Sequence, residues 1–223
     1  SDVDGVHINS SKNITIKNNI IRDNDYFGLL ATDNSSVIID NNKIKNNGLK
    51  KGFPGIQISK ESSANIINEN LVSTNKGEGI AVRKQSEVKI KDNNKINSNE
   101  KHGILVLNSN TEIMKNTISE NDGNGITSDN SDVNVMSNKI TNNKNRGLSI
   151  YNESSAVIKY NDISNHTEHY AQGIGFDNSD VEVIDNEIFA NKAGLVYSGI
   201  NQSDYETNKI IKNNFANSVY QVI

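Results

Sequence analysis

The chain lacks the residues on which several classes of protein depend. Its 223 residues include no cysteine, no tryptophan and a single proline, and only 5% of them are aromatic. Without cysteine, the chain can form neither a disulfide framework nor a thiolate metal site. No apolar run approaches the roughly 20 residues that cross a bilayer. The net charge of -4 argues against a basic nucleic-acid footprint. We therefore expect no membrane span and no nucleic-acid partner.

Asparagine, by contrast, is abundant, and much of it is periodic. An aliphatic residue stands two positions after each member of a first column: Asn19, Asn42, Asn70, Asn94, Asn116, Asn138, Asn161, Asn186 and Asn208. A second column follows three residues after those aliphatics: Asn24, Asn47, Asn75, Asn99, Asn121, Asn143, His166, Asn191 and Asn213. The mean hydropathy of -0.62 could suggest disorder, but the apolar residues fall in columns. A fixed period above about twenty residues predicts a solenoid.

Each repeat also contains a glycine followed by an aliphatic residue, and these glycines are spaced 21 to 27 residues apart. Three short alternating stretches separated by Asn, Ser and Gly predict three short strands per repeat. One repeat cannot bury its apolar face alone, so like residues of successive repeats must stack. The sequence predicts about nine such rungs in a single domain, 1–223. Because a solenoid's open ends expose unpaired backbone, we expect this domain either to be a segment of a longer protein or to associate end to end.

The repeat G-I-x-V-x-N-S-x-V-x-I-x-x-N-x-I-x-x-N, with its irregular length and three unequal strands, resembles the right-handed parallel β-helices of the pectate-lyase-like superfamily. The resemblance covers essentially the whole chain. It implies an all-β, single-stranded right-handed parallel β-helix. Mannuronan epimerases and surface adhesins resemble the chain at the level of the repeat as well. Because many functions share this scaffold, the fold by itself defines no activity.

The N-terminal stretch Val3–Ile8 is similar to a segment of the polygalacturonases. Their Asn-Thr-Asp-Gly segment supplies one of three catalytic acids, and Asp4 occupies that position here. The next two rungs carry Tyr26-Phe27 and Phe53-Pro54 where the family has Asp-Asp and Gly-His-Gly. The resemblance is therefore partial, and the hydrolase activity does not carry over.

Two repeats are longer than the others, and insertions are where function tends to be added to a solenoid. They contain the segments 48–54 and 166–172, both between the third strand and the glycine strand. In the second segment, His169 and Tyr170 are candidates for contact with a polar ligand such as a sugar. His166-x-x-His169 lacks an identifiable third ligand, so no metal site is assigned. Calcium stays open as a cofactor, because 122–125 reads Asp-Gly-Asn-Gly.

The column before each glycine contains the strongest candidates for chemistry. Glu78, His102 and Arg146 occupy it in nearby rungs, and successive rungs stand about 5 Å apart. Four residues after the glycine, Arg83 and Tyr151 should face the same side. We predict Glu78 and His102 as catalytic residues, acid or base and proton shuttle. Arg83, Arg146, Tyr151, His169 and Tyr170 are the predicted substrate-binding residues, with the arginines able to hold uronate carboxylates.

These features suggest two functions. The first is an extracellular or cell-surface protein that binds, and in one version also processes, uronate-rich polysaccharide along the outward face of the glycine strands. As an enzyme it would be a polysaccharide lyase or a glycoside hydrolase. The second is a non-catalytic structural or adhesin segment of a larger surface protein. A groove with acidic and aromatic residues would favour the first function, and a flat lysine-rich face the second.

Overall fold

The computed structural model describes residues 3–168, 171–198, 208–213 and 220–222. The chain winds through three parallel sheets, and each complete turn of the coil adds one strand to each sheet. Eight successive turns contribute to all three sheets, and a ninth contributes to two of them. This confirms the predicted parallel β-solenoid of about nine rungs. Among the described residues, no helix has the length and hydropathy of a membrane span.

The strands are numbered β1 to β27 in chain order. Sheet A contains β1 (Val6–Asn9), β4 (Leu29–Thr32), β7 (Ile56–Ser59), β10 (Ile80–Arg83), β13 (Ile104–Leu107), β16 (Ile126–Asp129), β19 (Leu148–Tyr151), β22 (Gln172–Asp177), β25 (Ala193–Ser198) and β27 (Tyr220–Val222). Sheet B contains β2 (Ile14–Lys17), β5 (Ser36–Asp40), β8 (Ser63–Ile67), β11 (Glu87–Lys91), β14 (Asn110–Met114), β17 (Asp132–Met136), β20 (Ser155–Lys159) and β23 (Asp180–Ile184). Sheet C contains β3 (Ile20–Arg22), β6 (Lys43–Lys45), β9 (Leu71–Ser73), β12 (Lys95–Asn97), β15 (Thr117–Ser119), β18 (Lys139–Thr141), β21 (Asp162–Ser164), β24 (Glu187–Phe189) and β26 (Lys209–Ile211).

Aliphatic side chains of equivalent positions stack inside the coil. Ile80 of β10 pairs with Ile56 on one side and Ile104 on the other, and all three are fully buried. Alternation along each strand points the intervening residues outward. Full burial of each such side chain contributes about 1.5 to 3 kcal/mol. The columns from all three sheets merge into one continuous core.

Both predicted asparagine columns form hydrogen-bonded ladders at the corners. The backbone N–H and the side-chain Nδ2 of Asn94 both donate to Oδ1 of Asn116, over 3.2 and 2.9 Å. Nδ2 of Asn94 also donates to the carbonyl oxygens of Ile66 and Lys91. One buried amide thus satisfies backbone groups of two neighbouring rungs, which a corner without regular pairing would leave unbonded.

Left-handed backbone conformations lie one residue before the ladder asparagines. Residues with positive φ include Asn93, Ser98 and Lys115, each directly before a ladder position. The ladder asparagines have none of these φ values. The preceding residue makes the bend, and the asparagine that follows can then point inward and bond along the stack.

A serine ladder, which the sequence analysis did not identify, lies at the corner between sheets A and B. The backbone N–H of Ser86 donates to Oγ of Ser109, and Ser109 repeats this bond to Ser131, both over 3.2 Å. Ser131 continues to Ser154 over 3.1 Å. All four serines are buried. Each corner therefore has its own polar column.

The repeating glycine is required because neighbouring atoms leave no room for a Cβ at this position. A Cβ on Gly79 would lie 2.6 Å from Cγ2 of Ile96 and 2.7 Å from the carbonyl oxygen of Gly103. Real Cβ atoms do not come so close to backbone atoms. The glycine column lets the ends of sheets A and C meet beside the second asparagine ladder, and it fixes where the outward residues of sheet A begin.

Candidate functional site

The outward surface of sheet A, called the glycine-strand face below, carries the predicted row of polar side chains. Backbone hydrogen bonds from the glycines place Glu78, His102, Asn124, Arg146 and Gln172 on successive rungs; for example, Gly79 N–H donates to the carbonyl oxygen of His102 over 3.0 Å. Because the sheet is in register, these side chains form one row along the solenoid axis. The structure thus confirms the predicted stacking of this column.

Glu78 lies at the centre of a charged cluster. Its side chain is only 7% exposed, and its Oε1 is 3.6 Å from Nη2 of Arg83 and 3.8 Å from Nζ of Lys101. Lys101 Nζ also donates to the carbonyl oxygen of Gly52 over 3.3 Å. The predicted acid is therefore held between two cations. One of the two predicted carboxylate clamps, Arg83, is already paired within the protein.

Lys101 was missed by the sequence analysis. It stands one position before the outward column, and alternation alone assigns it to a turn rather than to the face. The reach of its four-carbon stem toward Glu78 is a side-chain property that spacing does not encode. Its proximity to His102 in the sequence was the only available signal.

His102 is positioned by a backbone hydrogen bond. Its Nδ1 accepts the N–H of Asn124 over 3.0 Å, so the neutral ring carries its proton on Nε2. Burial lowers the pKa of His102, Glu78 raises it by a smaller amount, and Lys101 lowers it further. The imidazole is therefore neutral at physiological pH. Its Nε2–H is a hydrogen-bond donor in a row that also contains a carboxylate.

Arg146 is positioned by hydrogen bonds from its own rung and from the rung before it. Oδ1 of Asn124 accepts the backbone N–H of Arg146 over 3.0 Å, and its Nδ2 donates to Oγ1 of Thr127 over 2.9 Å. Arg146 Nη1 donates to Oγ of Ser149 over 3.1 Å. Burial lowers the pKa of Arg146, and Asp177 opposes that effect. The guanidinium stays charged while being partly withdrawn from water.

Tyr151 lies on the same face, as predicted. It is half-buried in the column four residues after the glycines and pairs in register with Asp129. Burial raises the pKa of the Tyr151 hydroxyl, and the nearby Asp129 carboxylate adds to the shift. The hydroxyl is therefore protonated, and it can act as a hydrogen-bond donor beside the Arg146 rung.

The structure describes all of the first insertion, 48–54, and all of the second, 166–172, except residues 169 and 170. His169 and Tyr170, predicted to contact substrate, lie outside the described residues. His166 is fully buried within the second ladder. In the first insertion, the Phe53 ring packs against Phe27 and Tyr26, with ring centroids 4.6 and 5.2 Å apart. This aromatic cluster borders the N-terminal end of the row.

The stretch considered for calcium has other partners. Asp122 pairs with Lys144 over 2.8 Å, and Asp129 accepts a hydrogen bond from Nδ2 of Asn152. Among the described residues, no three His, Asp or Glu side chains are grouped as a metal ion would need. We therefore assign no metal ligands in this part of the structure.

The fold and its comparisons define the class of protein. The family model for the right-handed β-helix region matches residues 1–113 and 79–216, so the chain belongs to this family. The two overlapping matches reflect the internal repeat. The handedness inferred from the sequence pattern is thereby confirmed.

Solved structures resemble the chain at low sequence identity. The A-module of the mannuronan C-5 epimerase AlgE4 from Azotobacter vinelandii has a TM-score of 0.72 and 16% identity, covering 92% of this chain and 62% of its own. The periplasmic alginate epimerase AlgG has a TM-score of 0.67 and 20% identity over 98% of this chain and 48% of its own. The surface adhesin PfbA of Streptococcus pneumoniae has a TM-score of 0.59 and 13% identity, with 96% and 63% covered. The chain thus spans about half to three-fifths of these proteins, and the likeness shows the fold. No curated protein matches the sequence significantly.

Proposed function

We propose that this protein binds acidic, uronate-rich polysaccharide along the glycine-strand face and acts outside the cell or at its surface. The observation that carries the proposal is the row Glu78, His102, Asn124 and Arg146 on successive rungs. An extended sugar chain parallel to the solenoid axis would meet one polar group about every 5 Å. Carboxylate, imidazole, amide and guanidinium in one line offer both acceptors and donors to sugar hydroxyls.

The position of the charges supports an acidic ligand. Lys101, Arg83 and Arg146 supply three cations on this face or at its edge, and Glu78 occupies two of them. A polymer that carries a carboxylate on each sugar would complement the remaining charge. Two of the similar structures, AlgE4 and AlgG, are named as epimerases of mannuronan or alginate. Uronate polymers are therefore the first ligands to test.

Processing of the polymer is the finer proposal, with Glu78 as acid or base and His102 as the proton carrier. In the present geometry His102 presents Nε2–H and would begin as a donor, because Nδ1 is held by the backbone. Turnover would take the form of lyase or hydrolase chemistry. Calcium is the cofactor that the sequence left open, and the assay is therefore run with and without it.

The test is a glycan array followed by a lyase and hydrolase screen on uronate polymers, with and without calcium. We expect saturable binding to uronate polymers that weakens with His102→Ala, whereas Glu78→Gln, which releases Arg83 and Lys101 from their carboxylate, should abolish turnover without weakening binding. Glu112→Gln, on the outward side of sheet B, is the matched control because it also removes one carboxylate. No binding to any acidic glycan would refute the proposed function.

A non-catalytic adhesin segment is the second candidate. It is favoured by the likeness to PfbA, which is described as a surface adhesin. In that case the protein would attach to a surface without transforming any sugar. Binding of the intact chain to glycans without turnover, unchanged by the Glu78 and His102 substitutions, would support this second function.

A further inference from the structure

We propose that one depression on the glycine-strand face is a subsite for the carboxylate of a sugar acid, with Arg146 as its cation. This depression is lined by Arg146, Ser149, Tyr151, Gln172, Asp177 and Val196, and its volume is about 460 Å³. The proposal rests on the proposed function and names the chemical group that this face recognises. It also distinguishes between the two arginines that the sequence analysis considered equivalent.

The charge of Arg146 is not neutralised by a partner in the described part of the chain. The other two arginines, Arg22 and Arg83, each face a carboxylate, at 3.5 and 3.6 Å. Arg146 instead bonds the neutral hydroxyl of Ser149, and Asp177 acts on it only from beyond ion-pair distance. A partly buried cation without a counter-ion is costly, and an anionic ligand would remove that cost.

The sheet beneath is shaped so that Arg146 can lie along it. Gly175 stands in the outward column directly after Ser149, in register with it. A Cβ at Gly175 would be 2.2 Å from Oε1 of Gln172 and 3.1 Å from Nε of Arg146. Without that Cβ, both side chains can settle onto the backbone. The guanidinium is thereby held at the edge of the depression by Ser149 rather than extending into solvent.

Gln172 provides a second polar group in this depression that a ligand could satisfy. Its Oε1 is buried and has no hydrogen-bond partner. A buried acceptor without a donor is destabilising. A hydroxyl group on the ligand, next to the carboxylate held by Arg146, would supply that donor after a small turn of the amide. Sugar acids carry both groups on one ring.

The lining favours a sugar acid over a phosphate. One guanidinium, with one nitrogen already used by Ser149, matches a planar monoanion that accepts two parallel hydrogen bonds. The rest of the lining offers hydroxyl and amide groups, including the protonated Tyr151, and no second cation. Asp177 would repel a dianion but can accept a hydrogen bond from a hydroxyl. These groups match a carboxylate surrounded by hydroxyls.

The test compares two variants and two ligands by isothermal titration. Arg146→Gln removes the cation, and Lys43→Gln removes an exposed cation from sheet C as the control. The ligands are a uronate oligosaccharide and its methyl ester, which keeps the shape and loses the charge. We expect Arg146→Gln to weaken binding of the free acid by about tenfold to a hundredfold. Neither the ester nor the Lys43 variant should show such a loss.

A third variant separates charge from geometry. Gly175→Ala keeps every charge but forces Gln172 and Arg146 off the sheet, so it should also weaken binding of the free acid. If the wild-type protein binds the acid and Arg146→Gln binds it equally well, the subsite is refuted while the proposed function stands. If the wild type binds neither ligand, both proposals fall. Equal losses for the acid and the ester would show that Arg146 only supports the fold of the face.

Discussion

His166 is the one member of the second ladder that is not an asparagine, and it reproduces two bonds to backbone groups that an amide makes at this position. Nδ1 accepts the backbone N–H of Asn143 over 3.2 Å, and Nε2 lies 3.1 Å from the carbonyl oxygen of Ile140. A neutral ring with its proton on Nε2 satisfies both groups. Burial lowers the pKa of His166 to about 4, although its backbone hydrogen bonds partly oppose the shift.

This pKa makes stability depend on pH. An unfolded histidine binds a proton below about pH 6.5, whereas folded His166 does so only below about 4. Between these values the unfolded state binds more protons, so the free energy of unfolding falls as the pH falls. We expect His166→Asn to remove a loss of up to about 3 kcal/mol across this window. Urea unfolding at about pH 7 and about pH 4.5 measures it.

The control is His7→Asn, which removes an exposed histidine of β1 and leaves the buried His166 in place. His102 also has a lowered pKa and remains in both variants. The His166→Asn protein should therefore keep a smaller slope of the same sign. A variant whose stability falls as steeply with acid as that of the wild type would show that His166 does not titrate in this window.

At the scale of structural elements, the ladders replace the pairing that the corners between sheets lack. Asn94 alone satisfies the backbone N–H of Asn70 and the carbonyl oxygens of Ile66 and Lys91. It is fully buried. Truncating it would leave several buried polar groups without their hydrogen-bond partners. The energetic role of a ladder position therefore depends on whether it lies inside the stack.

We expect Asn94→Ala to lower the free energy of unfolding by about 3 to 5 kcal/mol, the sum of several unsatisfied buried groups. Asn19→Ala should cost less than about 1 kcal/mol, because Asn19 lies in the first rung and is exposed. Denaturant unfolding of both variants provides the comparison. Equal losses at the two positions would contradict a role that depends on burial within the stack.

The sequence predicted these elements because stacking makes the repeat visible. The Asn94 column, the glycines and the inward aliphatics recur at nearly fixed spacing, and identical residues meet identical residues. The serine ladder through Ser109 was equally periodic, and the sequence analysis did not assign it a role. Serine is common in turns, so its repetition alone did not indicate a hydrogen-bonded column.

The sequence predicted which face of the solenoid carries the candidate site, but not how the side chains on that face pair. The repeat places Glu78 and Arg146 in the column before the glycines and Arg83 in the column four residues after them, and the structure brings both columns to one surface. The repeat does not say that Arg83 turns to Glu78 while Arg146 turns to Ser149, because those choices depend on rotamers and on the space left by Gly175. Side-chain pairing on an open surface is decided by local packing, which a periodic pattern does not encode.

At the scale of the whole molecule, pairing is restricted to neighbouring turns. Every strand inside a sheet pairs with the equivalent strands one turn before and one turn after, the end strands have one such neighbour, and no other pairing occurs among the described strands. The stability of such an array is approximately a sum of rung terms and interfaces between adjacent rungs. Damage in the middle should spread outward by a few rungs rather than unfold the chain as a unit.

Ile104→Ala tests this property, because Ile104 is fully buried between Ile80 and Ile126 in the middle of sheet A. The cavity should cost about 2 to 5 kcal/mol. In hydrogen exchange followed by mass spectrometry, we expect amide protection to fall most in the rungs of Ile104 and its two neighbours and to recover toward both ends. The matched substitution Ile14→Ala, in the partly exposed first rung, should affect only the first turns. Uniform loss of protection along the chain after Ile104→Ala would show that the solenoid unfolds as one cooperative unit. In that case the rungs could not be treated as separate elements held by nearest-neighbour contacts.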